Sequence, residues 1–220
     1  MRDSNQTIIK FDYDKNYKNG DFFLSNSNKH VFDFLNKWPK WEKNFINVIG
    51  EGLSGKTHLI NIFLKKNKGI KIDANFLRDI HFKEIKVYEN IIIENLKSNV
   101  DEKLLYSLMN LVEQDNKYLI ITSLVPIVYL DFKLKDLKSR TKNFLLLNIE
   151  QPDDELIFAI IIKNLSDRQI TLDKRLIQYI IKRIERSYGK IHDFIYKIDQ
   201  LSLKKNKSID LKIIKEVLGE

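Results

Sequence analysis

The segment Gly50-Glu51-Gly52-Leu53-Ser54-Gly55-Lys56-Thr57 constrains the fold of this chain more than any other. It satisfies G-x-x-x-x-G-K-[ST] in full, and that pattern carries structural meaning only between a strand and a helix. Both flanks comply. Phe45–Ile49 is a short apolar run that reads as a buried strand, and Lys56–Lys66 has helical character. Such a loop turns backbone N–H groups toward one point at a helix N-terminus, where they attract phosphate oxygens. The spacing brings the Lys56 ammonium to the β- and γ-phosphates of a nucleotide and the Thr57 hydroxyl to a magnesium ion. Gly50, Gly52, Ser54, Gly55, Lys56 and Thr57 are the expected binding residues, with ADP or ATP as ligand and Mg²⁺ as its companion.

The surrounding pattern predicts an α/β layer. Gly69–Asp73, Asn90–Ile93, Tyr118–Thr122 and Phe144–Ile149 are further short apolar or β-branched runs. Helical segments alternate with them. Residues 25–37 read as a capped helix with Val31, Phe34 and Leu35 on one face, stopped at Trp38-Pro39. Asp101–Glu113 has helical spacing with Leu104, Leu105, Leu108 and Leu111 on one face. Fully apolar strands alternating with helices indicate a parallel sheet covered on both sides. After Pro152 strand character ends, and Asp154–Asn164, Asp173–Arg186, Lys190–Leu203 and Asp210–Leu218 read as helices. The expected organisation is a polar tail over 1–20, a phosphate-loop α/β domain over 21–150 and a small all-helical lid domain over 151–220.

Composition removes several classes of function. The 220 residues contain no cysteine, which excludes disulfides, thiolate metal sites and a thiol nucleophile. Histidines at 30, 58, 81 and 192 offer no paired metal-ligand spacing. No apolar run approaches the roughly 18 residues of a membrane span, and the N-terminus lacks the apolar region of a secretion signal. A cytoplasmic protein with no membrane partner is expected. The net charge of +8 permits a polyanionic partner, but the charges are spread along the chain. DNA contact is therefore expected to be indirect or weak.

A second acidic element is needed to hold magnesium through water. Glu94 closes the run Ile91-Ile92-Ile93-Glu94-Asn95 at a strand end and is the candidate; its other reading is the first exposed residue of a plain buried strand. Asn95 stands where a second carboxylate usually polarises the attacking water. An amide cannot take a proton, so slow intrinsic hydrolysis is expected.

Taken together, these motifs resemble the Hda group of AAA+ proteins in its alphaproteobacterial form. Those proteins are regulatory inactivators related to the ATPase domain of the bacterial initiator DnaA. The resemblance runs over nearly the whole chain. Residues 21–28, including Leu24, resemble the segment lining the adenine pocket; Trp38-Pro39-Lys40-Trp41 resembles the alphaproteobacterial form. His58-Leu59 continues the phosphate loop as the family does, and Ile92–Asn95 matches its magnesium strand. Ile120–Ser123, with Thr122, matches the sensor 1 strand, Leu134–Arg140 the segment ending in Ser-Arg, and Gln151–Asp154 the entry to the lid. Two departures stand out. Leu124-Val125 replaces Asp-Arg, and His192 falls where an Arg usually approaches the phosphates, with Lys190 as an alternative.

The resemblance implies a role in replication control. Hda proteins bind the DNA polymerase III sliding clamp (beta subunit) through an N-terminal motif and promote hydrolysis of ATP held by DnaA. Gln6, Ile9 and Phe11 fit that motif, with Ile9 for Leu; an ordinary strand is the other reading. Arg140 is implied as an arginine finger acting in trans, the alternative being a surface arginine paired with a carboxylate. Glu94 and Asn95 complete the implied catalytic set. The length favours the regulator, because an initiator continues into a DNA-binding domain. Other readings are a stand-alone AAA+ ATPase such as a helicase loader, or a phosphate-loop adaptor without turnover. Homo-oligomer formation is left open.

Overall fold

The structure is a computed structural model and describes residues 22–79 and 81–220. The expected tail, with Gln6, Ile9 and Phe11, lies outside the described residues. Five strands form one parallel sheet: β1 (Phe45–Ile49), β2 (Gly69–Asp73), β3 (Asn90–Leu96), β4 (Tyr118–Ser123) and β5 (Leu145–Asn148), in spatial order β2-β3-β4-β1-β5. The nine helices among the described residues are α1 (Lys29–Leu35), α2 (Lys56–Lys66), α3 (His81–Ile85), α4 (Glu102–Gln114), α5 (Lys135–Thr141), α6 (Asp154–Ser166), α7 (Lys174–Ile181), α8 (Tyr188–Lys205) and α9 (Leu211–Leu218).

Strand side chains alternate between faces, so a strand covered on both sides must be apolar throughout. β3 shows this directly. Ile91 and Ile93 join the core that packs under α4 and α5, while Ile92 joins the opposite core with Leu59, Ile60 and Phe63 of α2. The triple isoleucine is thus shared between two layers. β4 divides likewise, Leu119 and Ile121 on one side and Ile120 on the other. Helices α6 to α9 bury a third core of Ile157, Ile161, Ile177, Ile180, Ile191, Phe194, Ile198 and Ile214.

Several elements differ from the sequence expectation. α4 buries Leu105, Leu108, Met109 and Val112, whereas Leu104 and Leu111 only flank the core. α1 starts late, at Lys29, because the Asn28 side-chain oxygen accepts from Ser25 N–H at 3.1 Å and makes no cap bond to the helix. α7 stops at Ile181; Arg183 and Ile184 both donate to the Ile180 carbonyl, turning the chain so that Ser187 can open α8. α3 and α5 had no periodic apolar signal. α5 fully buries only Leu137 and Thr141. Among the described residues, no helix is long and apolar enough to cross a membrane.

Candidate nucleotide-binding site

The phosphate loop leaves the buried strand β1 and enters α2, and its conformation explains two of its glycines. Gly55 has φ +91°, in the left-handed region that L side chains rarely adopt. A Cβ on Gly50 would lie 2.7 Å from Ser54 Oγ and 3.2 Å from Ile149 Cβ. Gly52 carries no such demand, since nothing lies within 4 Å of a Cβ built there. Leu53 takes φ +67° at the loop tip, an uncommon conformation for a residue with a side chain. Ser54 Oγ is buried without a hydrogen-bond partner in the protein, so the loop retains an unused polar atom.

Lys56 opens α2, 8% exposed, and its ammonium donates to the carbonyls of Gly50 at 2.6 Å and Glu51 at 2.8 Å. Burial pulls its pKa below the ordinary lysine value, against the opposing pull of the Glu51 and Glu94 carboxylates. Glu94 is therefore near enough to act on Lys56, although β4 separates their strands. Thr57 and His58 follow in the first turn of α2, with the His58 ring edge-on to Phe22 at 5.2 Å. Leu24 is exposed in the chain leading to α1.

The end of β3 is irregular. A register shift lies between Ile93 and Leu96, and Asn95 takes φ +59°. The backbone N–H of Asn95 donates to Thr122 Oγ1 at 3.0 Å, which fixes the buried Thr122 hydroxyl beside the strand end. The Asn95 amide donates to Asp73 Oδ2 at 2.7 Å. Asp73 titrates below the usual aspartate range: bonds from Asn95 and Asn75 outweigh its partial burial. Glu94 is 7% exposed. One of its oxygens pairs with Lys71 at 3.3 Å; the other, Oε1, is buried with no hydrogen-bond partner. Magnesium retains waters and takes one or two protein oxygens plus substrate phosphates. The orphaned Glu94 Oε1 and the Thr57 hydroxyl suit that demand. No set of three or more His, Asp or Glu among the described residues forms an all-protein cage.

Arg140 stands apart, on α5. It donates to Glu113 at 2.5 Å and lies over the Tyr106 ring at 5.2 Å, and the Glu113 bond raises its pKa. His192 and Lys190 lie in the first turns of α8, where Lys190 approaches Glu185 at 3.9 Å. Sequence reasoning missed Glu51, whose carboxylate reaches α8, and nothing in the spelling of the loop pointed to a partner 136 residues away.

A parallel sheet in this order, a phosphate loop after β1, an acidic end to β3 and a following helical region define the AAA+ fold. More particularly, it is the fold of domain III of the replication initiator DnaA. The structure superposes on that domain from Thermotoga maritima with a TM-score of 0.73, covering 94% of this chain and 97% of that one at 20% identity. The AMPPCP-bound DnaA from Aquifex aeolicus superposes with a TM-score of 0.66 at 20% identity, over 87% of this chain and 67% of that one. In sequence, the chain is 24% identical over 242 aligned positions to DnaA of Buchnera aphidicola subsp. Cinara cedri. That alignment takes in 98% of this chain and 55% of the initiator, so the chain spans about half the length of that relative. No family model matches the chain.

Proposed function

We propose that the chain binds ADP or ATP with magnesium at Gly50–Thr57 and acts in the control of replication initiation by promoting hydrolysis of ATP held by DnaA. The observation that carries the nucleotide half is the pairing of the Lys56 loop with a buried, partnerless Glu94 oxygen on a DnaA-like fold. Lys56 and the loop N–H groups hold the phosphates, while Thr57 and Glu94 hold magnesium, which neutralises phosphate charge when bound. Thr122, fixed by Asn95, together with His192 or Lys190, Leu24 and His58, completes the proposed set of nucleotide-contacting residues. Asn95 is committed to Asp73 and accepts no proton, so turnover by the chain alone is slow.

The regulatory half rests on the resemblance to Hda proteins and on Arg140. Glu113 engages Nη1 and Tyr106 also holds the guanidinium, and of its five donors those left over by these two residues are offered to a phosphate of DnaA-bound ATP. Gln6, Ile9 and Phe11 recruit the chain to the sliding clamp.

Two measurements test the halves separately. Lys56→Ala should weaken ADP binding in a fluorescent-nucleotide titration by at least about tenfold, the value of a charged hydrogen bond. Unchanged affinity removes the nucleotide assignment. Arg140→Ala should bind ADP as the wild type does. In a single-turnover assay with clamp-loaded DNA, it should lose stimulation of ATP hydrolysis on DnaA by at least about 10³-fold, the lower end for arginine fingers. Full stimulation by this variant removes Arg140 from the mechanism.

A further inference from the structure

The Glu51 side chain leaves the phosphate loop and ends on the helical region. Its carboxylate accepts the Ser187 hydroxyl and the backbone N–H groups of Tyr188 and Gly189, each at 3.1 Å. The first N–H groups of a helix have no partner within it and carry the positive end of its dipole. Ser187 supplies a cap of its own, reaching Lys190 N–H at 3.4 Å. Glu51 supplies the rest from a remote part of the chain. The fit is close: a Cβ on Gly189 would stand 3.3 Å from the carboxylate.

The backbone of the same residue serves Lys56, whose ammonium donates to the Glu51 carbonyl at 2.8 Å. Glu51 is thus joined through its carbonyl to the loop lysine and through its carboxylate to α8. We infer that Glu51 is a positioning residue that holds the first turn of α8, with Lys190 and His192 beyond it, against the phosphate loop, and so couples the helical region to the nucleotide. This inference rests on the proposal that the loop binds nucleotide.

Glu51→Ala and Ser187→Ala test it, because both sites are at the surface and neither truncation opens a core cavity. Hydrogen exchange without nucleotide should accelerate by about tenfold at the Tyr188 and Gly189 amides of Glu51→Ala, the usual worth of a helix cap. Stopped-flow measurement with fluorescent ADP should then show dissociation about tenfold faster, with association unchanged. Ser187→Ala should move both readouts in the same direction by less, and the double variant should resemble Glu51→Ala. Unchanged exchange at those amides would overturn the contact. Faster exchange with wild-type ADP dissociation would reduce Glu51 to a helix cap and overturn the coupling. Failure of the wild type itself to bind ADP would sink the nucleotide proposal and the coupling with it, and is recognisable because it appears without any substitution.

Discussion

At the scale of single residues, the glycines of the phosphate loop are not equivalent. Gly55 needs a left-handed backbone and has Phe22 Cε2 only 3.2 Å from where a Cβ would stand. Gly55→Ala therefore combines a backbone penalty of about 1–2 kcal/mol with contact against an aromatic ring. Chemical denaturation should show a loss of at least that size, and ADP affinity should fall because the first amides of α2 are re-aimed. Gly52→Ala meets open space, so its denaturation midpoint should move by no more than about 0.5 kcal/mol in equivalent stability. The motif G-x-x-x-x-G-K-T requires its first and last glycines, and the strain follows that rule. Glu51 obeys no motif. Its role follows from where α8 begins, and the residues around the loop give no local sign of it.

At the scale of elements, what the sequence made legible depended on the type of burial. Strand β1 is bounded where its apolar run is bounded, because all five of its residues are buried in the sheet, whereas the edge strand β2 buries only Ile72 and was marked by its β-branched residues. Elements with few buried side chains left no pattern. α5 fully buries one leucine and one threonine, and the end of β3 passes the left-handed Asn95 before pairing again at Leu96. α4 shows a subtler error. Its leucines alone suggest a face through Leu104, Leu105, Leu108 and Leu111, but only Leu105 and Leu108 are buried, and Met109 and Val112 complete the stripe and rotate it. Leu108→Ala should cost about 2–5 kcal/mol, the range for emptying a filled core site. Leu104→Ala, at the margin of the same core, should cost about 1 kcal/mol for a partial loss of apolar burial. Equal shifts in the two denaturation curves would restore the leucine-only face. Of the candidate site, the loop and Glu94 were legible because they lie in motifs at strand ends. The Asn95–Asp73 pairing and the orphaned Glu94 oxygen depend on the neighbours β2 and β4, which no local stretch encodes.

At the scale of the whole molecule, α8 belongs to two bodies. Ile191, Phe194, Ile195 and Ile198 pack among the terminal helices, but Tyr188 is 2% exposed and sits in the core beneath the sheet with Leu59, Ile149 and Leu156. Its hydroxyl donates to the Glu150 carbonyl at 3.0 Å, so one ring fastens the helical region to the α/β layer. Burial is the main force that pushes this phenol up to about 12, opposed by Ser27 and aided by Asp153, Glu51 and Glu150. The sign of the linkage is set by that rise. An unfolded tyrosine loses its proton near 10, so this contribution to stability is complete below pH 10 and declines between pH 10 and 12. The decline totals about 3 kcal/mol. Tyr188→Phe keeps the ring and removes the hydroxyl, leaving the Glu150 carbonyl short of a donor. At pH 7 it should be less stable than the wild type by about 1 kcal/mol, one hydrogen bond. From about pH 11 upward the order should reverse, because by then the wild type has lost more than that hydrogen bond contributes and the variant has no buried phenol to ionise. Denaturation at pH 7 and near pH 12 decides it: equal stability at pH 7 would mean that Tyr188 does not hold the two bodies together through its hydroxyl, and parallel losses in the two proteins on going to pH 12 would mean that other tyrosines govern alkaline unfolding.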